Sequence, residues 1–220
     1  MRFAFFDLDH TLLRGNSANL FIRYLMKKGE LGWTDVAKGL YYTACYRLNM
    51  IRIEEVGAKY LMRYRGVPET DLVEQCEEWF SEYVQPTFYS EALELVETHR
   101  RQGDRLVLLS ASTVYACRPV SRFLRLDDYI GTRLAVEDGK LTGAPEPPVC
   151  YGKGKLVQAR NYLRQQGRDE EALRQASFYT DSITDLPVLE AVGDPQVVNP
   201  DPLLAREAKR RGWPVRHFKR

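Results

Sequence analysis

The stretch Phe3-Ala4-Phe5-Phe6-Asp7-Leu8-Asp9-His10-Thr11-Leu12 decides how this chain is read. Four apolar residues run unbroken into an acid, the pattern of a strand buried on both faces of a parallel sheet. A second carboxylate follows two residues later, just where such a strand would end. Three more runs repeat the plan: Leu106–Leu109 leads into Ser110-Ala111-Ser112, Ser177–Thr180 into Asp181, and Gln196–Val198 into Asn199-Pro200. Between them the apolar spacing turns helical. Residues 91–102 carry Leu93 and Val96 ahead of Gly103, and residues 155–166 carry Leu156, Ala159, Tyr162 and Leu163 ahead of Gly167. A glycine just past a periodic segment marks a helix stop. Strands alternating with helices predict an α/β fold with a parallel sheet wrapped by helices. Chemistry in such sheets gathers at the carboxyl ends of the strands, and three of those ends carry Asp7, Ser110 and Asp181.

Residues 17–86 follow a different rule. Apolar positions recur at helical spacing (Leu20, Tyr24; Val36, Leu40, Ala44, Leu48; Val56, Tyr60, Tyr64; Leu72, Cys76, Trp79, Tyr83) with no strand-like run among them. We expect a four-helix insertion there, a helical cap over the site, with residues 1–16 and 87–220 forming the core. Residues 132–142 read as a small β-hairpin turning at Asp138-Gly139.

Composition narrows the function classes. The 220 residues suit one sizeable domain with an insertion, and 44% hydrophobic with 28% charged residues is a globular balance. A net charge of +2 is too small to imply a nucleic-acid partner. The basic run at Lys209, Arg210, Arg211, Arg216, Lys219 and Arg220 is local and reads as solvated surface. Cys45, Cys76, Cys117 and Cys150 lie far apart without a CxxC pair, which suits reduced thiols in a cytoplasmic protein. Charge arrives at Arg2, before a signal-peptide core could form, and no apolar stretch is long enough to span a bilayer.

Asp7 and Asp9 side by side at a strand end repel unless a cation joins them, and magnesium, a hard oxygen-seeking ion, answers that need. The same ion relieves the repulsion between an anionic nucleophile and an anionic phosphate, so a carboxylate can form an aspartyl-phosphate. Alone, Asp-x-Asp after a strand reads as turn chemistry. Ser110 adds a hydroxyl and following N–H groups, and Lys155 an ammonium at a helix start that favours an anion. Asp181 and Asp185 add a second carboxylate pair. Singly each is bland; together, in this order and on strand ends, they point to phosphoryl transfer.

The chain resembles the haloacid dehalogenase superfamily, in the phosphoserine-phosphatase-like branch (subfamily IB). The stretches that carry the likeness are Asp-Leu-Asp-His-Thr-Leu at 7–12, Leu-Leu-Ser-Ala-Ser at 108–112, Cys-Tyr-Gly-Lys-Gly-Lys at 150–155 and Tyr-Thr-Asp-Ser-Ile-Thr-Asp-Leu-Pro at 179–187. The resemblance implies a Rossmann-like core, a phosphoric monoester hydrolase and Mg2+ as cofactor. It implies Asp7 as nucleophile and metal ligand. Asp9 becomes the general acid and then base, with its backbone carbonyl facing the metal. Ser110, Ala111 and Lys155 become the phosphate-binding residues, and Asp181 a direct metal ligand. Thr11 would orient the first loop and Asp185 would support Asp181. Lys153 competes with Lys155, and the spacing of the motif favours Lys155.

The substrate is the open part. In phosphoserine phosphatases a Glu shortly after the first motif and an Arg in the cap grip the amino-acid head group. Those positions fall on Asn16 and near Tyr60 here, as candidate substrate contacts, and both departures disfavour phosphoserine. Tyr41, Tyr42, Tyr46, Tyr60, Tyr64, Trp79, Phe80 and Tyr83, with Arg47, Arg63 and Arg65, make the insertion rich in aromatic and basic residues. Two substrate classes follow: a small alcohol phosphate such as histidinol phosphate, or a lipid-derived phosphate with residues Gly39–Met50 in peripheral contact with a membrane. A phosphotransferase that passes the phosphoryl group to an alcohol is the alternative chemistry, and a non-catalytic phosphate-binding module the alternative class.

Overall fold

The computed structural model describes residues 1–34, 37 and 60–219. The expected helix faces at Val36, Leu40, Ala44, Leu48 and Val56, the aromatics Tyr41, Tyr42 and Tyr46, Arg47 and the whole Gly39–Met50 stretch lie outside the described residues, as does Arg220.

Six parallel strands form one sheet. β1 (Phe3–Phe6), β2 (Arg105–Thr113), β3 (Asp128–Thr132), β6 (Ser177–Thr180), β7 (Asp194–Val198) and β8 (Val215–Arg216) lie in the order β3-β2-β1-β6-β7-β8. β1 is central, with Phe5 opposite Val107 on one side and Phe178 on the other. All four β1 residues are fully buried, which explains the unbroken apolar run. Their side chains alternate between two cores. Ala4 and Phe6 pack with Leu106, Leu108 and Tyr179 beneath the helices α1 (Ser17–Lys27), α3 (Ser90–Arg101) and α4 (Val114–Leu124). Phe3 and Phe5 face the opposite layer, with Val107, Leu109, Phe178 and Val197, beneath α5 (Lys153–Gln165), α6 (Glu170–Arg174), α7 (Leu186–Leu189) and α8 (Pro202–Arg211). Successive strands run outward from β1 in one direction through β2 and β3, and in the other through β6 to β8. This reversal places the carboxyl end of β1 at the point where such sheets bind ligands.

Two expectations shift. β2 does not stop at Ser110 but stays extended through Thr113, with a break in its register to β3 between Leu109 and Thr113. Thr132 belongs to β3 rather than to the hairpin, whose strands are β4 (Leu134–Glu137) and β5 (Lys140–Pro145) around Asp138-Gly139. Both hairpin-turn residues take positive φ, 48° at Asp138 and 74° at Gly139, as a tight two-residue connection requires.

The described part of the segment between β1 and β2 is helical. α1 and α2 (Glu69–Trp79) pack through Tyr24, whose hydroxyl donates to Glu78 at 2.8 Å, and through an edge-on contact of Phe21 with Trp79 at 5.5 Å. After α2 the chain loosens into a π-helical turn at Phe80–Val84 and a 3-10 turn at Gln85–Thr87, which carries Pro86. The chain leading into α2 is laced to the hairpin. Gly66 N–H donates to the Leu141 carbonyl at 2.8 Å, Leu141 N–H to Val67 at 2.9 Å, and Glu69 N–H to Gly139 at 3.0 Å.

Candidate active site

Asp7 is still held by the sheet. Its N–H donates to the Tyr179 carbonyl at 2.9 Å, one step past the last β1–β6 pair, so its carboxylate leaves the strand end in a fixed direction. The loop then folds on itself: Leu12 and Leu13 N–H both reach the Leu8 carbonyl at 3.0 Å, and His10, at φ 54°, donates to Gly15 at 3.1 Å. Asn199, beyond β7, donates to the His10 carbonyl at 3.2 Å. Thr11 is buried and its hydroxyl has no hydrogen-bond partner among the described residues, so backbone bonds and Asn199 brace this loop.

Asp9 points at the start of α1. Ser17 N–H donates to its Oδ1 at 2.7 Å and the Asn16 amide donates to its Oδ2 at 3.0 Å. Burial raises the Asp9 pKa, and hydrogen bonding from Ser17 opposes that rise. Ser17 also shares a hydroxyl–hydroxyl bond of 3.0 Å with Ser112, whose N–H donates to Ser110 Oγ at 3.2 Å. The acid and the serine of β2 are thus joined through α1. Ser110 is buried, whereas Ala111 is exposed and fixed by its carbonyl, which accepts from Thr132 at 3.0 Å.

Lys155 is the centre of the site. It lies in the first turn of α5, which begins at Lys153, and is 2% exposed, while Lys153 is exposed. Its Nζ donates to Asp7 Oδ1 at 2.8 Å and to Asp185 Oδ2 at 2.7 Å. Desolvation works against the buried ammonium, but Asp185 and Asp7 outweigh it, and its pKa is raised. Gly154 permits this placement: a Cβ there would lie 2.1 Å from the Val149 carbonyl oxygen. Asp185 therefore supports Lys155 directly, and Thr180 holds the same Asp185 oxygen at 2.7 Å.

Asp181 follows β6. Its carbonyl accepts from Asp201 N–H at 2.8 Å, and the Asp201 carboxylate in turn takes Ile183 N–H at 2.7 Å and caps α8. Burial first, then the charges of Asp7 and Asp185, push the Asp181 pKa up to about 8. Burial likewise pushes Asp7 up to about 7, with Asp185 and Asp9 adding to it against the pull of Lys155. Two carboxyls thus bond the one buried ammonium, and the charges of Asp9 and Asp181 lie near enough to act on the cluster, a set short of positive charge. Among the described residues no three His, Cys, Asp or Glu side chains close into a metal cage. Asp9 presents its side chain to Asn16 and Ser17, which leaves the carboxylates of Asp7 and Asp181. That set fits an ion which retains several waters, as magnesium does.

The structure brings together Asp7, Asp9, Lys155, Asp181 and Asp185 around the crevice, with Ser110 tied in through Ser112 and Ser17. Tyr60 is half-buried at the start of the chain returning toward α2. Sequence reasoning missed Ser17, Ser112, Thr180 and Asp201. Of these, Thr180 carried a signal, being the last strand residue before Asp181, and Asp201 another, being an Asp-Pro helix start.

A protein-family model described as haloacid dehalogenase-like hydrolase matches residues 4–190. A histidinol-phosphatase of Neisseria meningitidis is 31% identical, over 98% of this chain and 98% of that protein. A phosphoserine phosphatase of Mycobacterium tuberculosis is 30% identical, over 98% of this chain and 70% of its own length. Among solved structures, a Bordetella pertussis protein of unknown function superimposes with a TM-score of 0.91 at 29% identity, covering 97% of each chain.

Proposed function

The chain belongs to the haloacid dehalogenase-like hydrolases and is a phosphatase-type hydrolase, and on that premise we propose that it cleaves a small alcohol phosphate through an aspartyl-phosphate on Asp7. The observation that carries this reading is the buried Lys155, bonded at once to Asp7 and Asp185 at the strand ends. A lysine so placed keeps a nucleophilic carboxylate from repelling a phosphate and leaves the ammonium beside the transferred group.

In this reading one Asp7 oxygen attacks phosphorus while the bond to the ester oxygen breaks, and Asp9 gives the departing alkoxide its proton. Asp9 then takes a proton from a water that attacks the phosphorus of the acyl phosphate, which frees phosphate and restores Asp7. Ser110 and the N–H groups after it, with Lys155, hold the non-bridging oxygens. A bound Mg2+, held by Asp7, Asp181 and the Asp9 carbonyl, would supply charge neutralisation between nucleophile and phosphate. We assign residues 1–16 and 87–220 to the catalytic core and 17–86 to a cap that excludes water from the crevice.

For the substrate class, the full-length similarity to a histidinol-phosphatase favours a small amino-alcohol phosphate. The departures at Asn16 and Tyr60 weigh against phosphoserine, and the lipid-derived ester rests on the stretch around Gly39–Met50, outside the described residues.

The test is phosphate release from histidinol phosphate, phosphoserine, sugar phosphates and lysophosphatidate, with magnesium and with chelator, for wild type and Asp7→Asn. Magnesium-dependent release that is lost in the variant supports the chemistry, and the ranking names the class. Release that persists in Asp7→Asn refutes the aspartyl-phosphate. Phosphate found on added glycerol, rather than in solution, replaces the hydrolase by a phosphotransferase.

A further inference from the structure

Asn16 uses its side chain twice. Its Oδ1 accepts from Asn19 N–H at 3.1 Å and caps α1, while its Nδ2 donates to Asp9 Oδ2 at 3.0 Å. Ser17 N–H takes the other carboxylate oxygen at 2.7 Å. Both oxygens of Asp9 are therefore gripped by two successive residues at one helix start, and that start is itself fixed by the Ser17–Ser112 hydroxyl pair. Two bonds to two oxygens fix both the position and the plane of a carboxyl group, and proton transfer in flight depends on both. The amide that would otherwise face a substrate head group is already engaged.

We infer that Asn16 is a positioning residue for Asp9, setting the pose from which it protonates the leaving group, rather than a head-group contact. This rests on the reading of Asp9 as acid and base given above. Because Asn16 also begins α1, the pose of Asp9 is tied to the first helix of the inserted segment.

Two variants separate the cap from the grip. Asn16→Asp and Asn16→Ser both keep an oxygen that caps a helix well. Asp has no donor for Asp9, and the shorter Ser does not reach it. A pair of aryl esters gives the readout: phenyl phosphate leaves as a basic phenolate that needs a proton, whereas 4-nitrophenyl phosphate leaves as a weakly basic anion that does not. The two are nearly the same size and carry no amino-acid head group. We expect the ratio of kcat/KM for 4-nitrophenyl over phenyl phosphate to rise in both variants by about tenfold or more, since a placed acid is worth about 100-fold or more. The melting temperature should stay near wild type, because the cap persists.

An equal loss on both esters in both variants would overturn the inference, since it reports general damage. So would an unchanged aryl ratio with loss confined to the preferred alkyl ester, which would make Asn16 a head-group contact. If the wild type hydrolysed neither ester nor any member of the phosphate-ester panel, the proposed chemistry itself would fall, separately from the role of Asn16.

Discussion

Replacing Lys155 with methionine is the perturbation whose size the structure defines best. The methionine keeps the length and apolar stem of the side chain and deletes the charge. Lys155 is 2% exposed and its two partners lie at 2.8 and 2.7 Å, so the variant leaves Asp7 and Asp185 facing each other without an intervening cation. Removing one partner of a buried pair costs about 3–5 kcal/mol. For a chain of this size that lowers the melting temperature by roughly 6–20 °C. The loss depends on pH, and its sign follows from Asp7. With the lysine present its pKa is already pushed up to about 7, and without it the pKa rises further. A carboxyl whose folded pKa exceeds its unfolded one loses stability as pH rises from the unfolded value to the folded one. Both proteins therefore lose alike up to about pH 7, where wild-type Asp7 ionises, and the deficit of the variant should grow above that pH. The slope should not exceed about 1.4 kcal/mol per pH unit for each such group. Denaturant unfolding in chelator at pH 7 and pH 9 measures it. A variant as stable as wild type at pH 7, or one whose deficit shrinks between pH 7 and 9, would refute the argument that Lys155 neutralises this cluster.

Further outcomes can be checked on the same protein. Gly154→Ala should cost about 1–3 kcal/mol and slow turnover, because its Cβ meets the Val149 carbonyl and must push α5, with Lys155, away from Asp7; unfolding titrations and kcat report the two effects. His99→Phe removes a buried imidazole that bonds Asp104 at 2.7 Å and Tyr179 at 2.8 Å. A loss of about 3 kcal/mol is expected from the stranded Asp104 and hydroxyl, read by thermal unfolding. Asp194 has its pKa lowered: burial works against it, but Ser177, Gln196 and Arg2 prevail. A depressed carboxyl stabilises above its unfolded pKa and ceases to as pH falls through the folded one. Asp194→Asn should therefore destabilise at pH 6 and match wild type near pH 2.

The parts of the fold that could be read from the sequence are those buried on both faces. β1, β2, β6 and β7 announce themselves because Phe3 and Phe5 need one core and Ala4 and Phe6 another, leaving no polar position in the run. β3 and β8 carry no such signal, for the opposite reason. Asp128–Thr132 mixes polar and apolar residues beside the edge-facing layer, and Val215–Arg216 is a two-residue exposed edge strand with no apolar run at all. The candidate cluster could be read because each member sits within a few residues of a strand end or helix start, where local order already fixes the direction of the side chain. The grip of Asn16 on Asp9, the Thr180–Asp185 bond and the tie from Asp201 to Asp181 depend on where a separate element comes to rest, and no spacing in the chain encodes that. Asp185 illustrates the limit. Its motif places it next to Asp181, yet α5, thirty positions earlier, carries the lysine it binds.

The backbone lacing between residues 66–69 and the hairpin has a consequence for how this molecule can be rebuilt or can diverge. Three N–H···O bonds make the chain leading into α2 a third member beside β4 and β5, and their amide hydrogens should exchange with solvent together, as one cooperative unit. A graft that swaps the insertion for another must therefore cut on the N-terminal side of Gly66, or carry the hairpin with it. A single inserted residue within 66–69 would put the lacing out of step with Gly139 and Leu141. The hairpin, far from the carboxylates in sequence, thus acts as the seam that decides which part of the insertion is exchangeable.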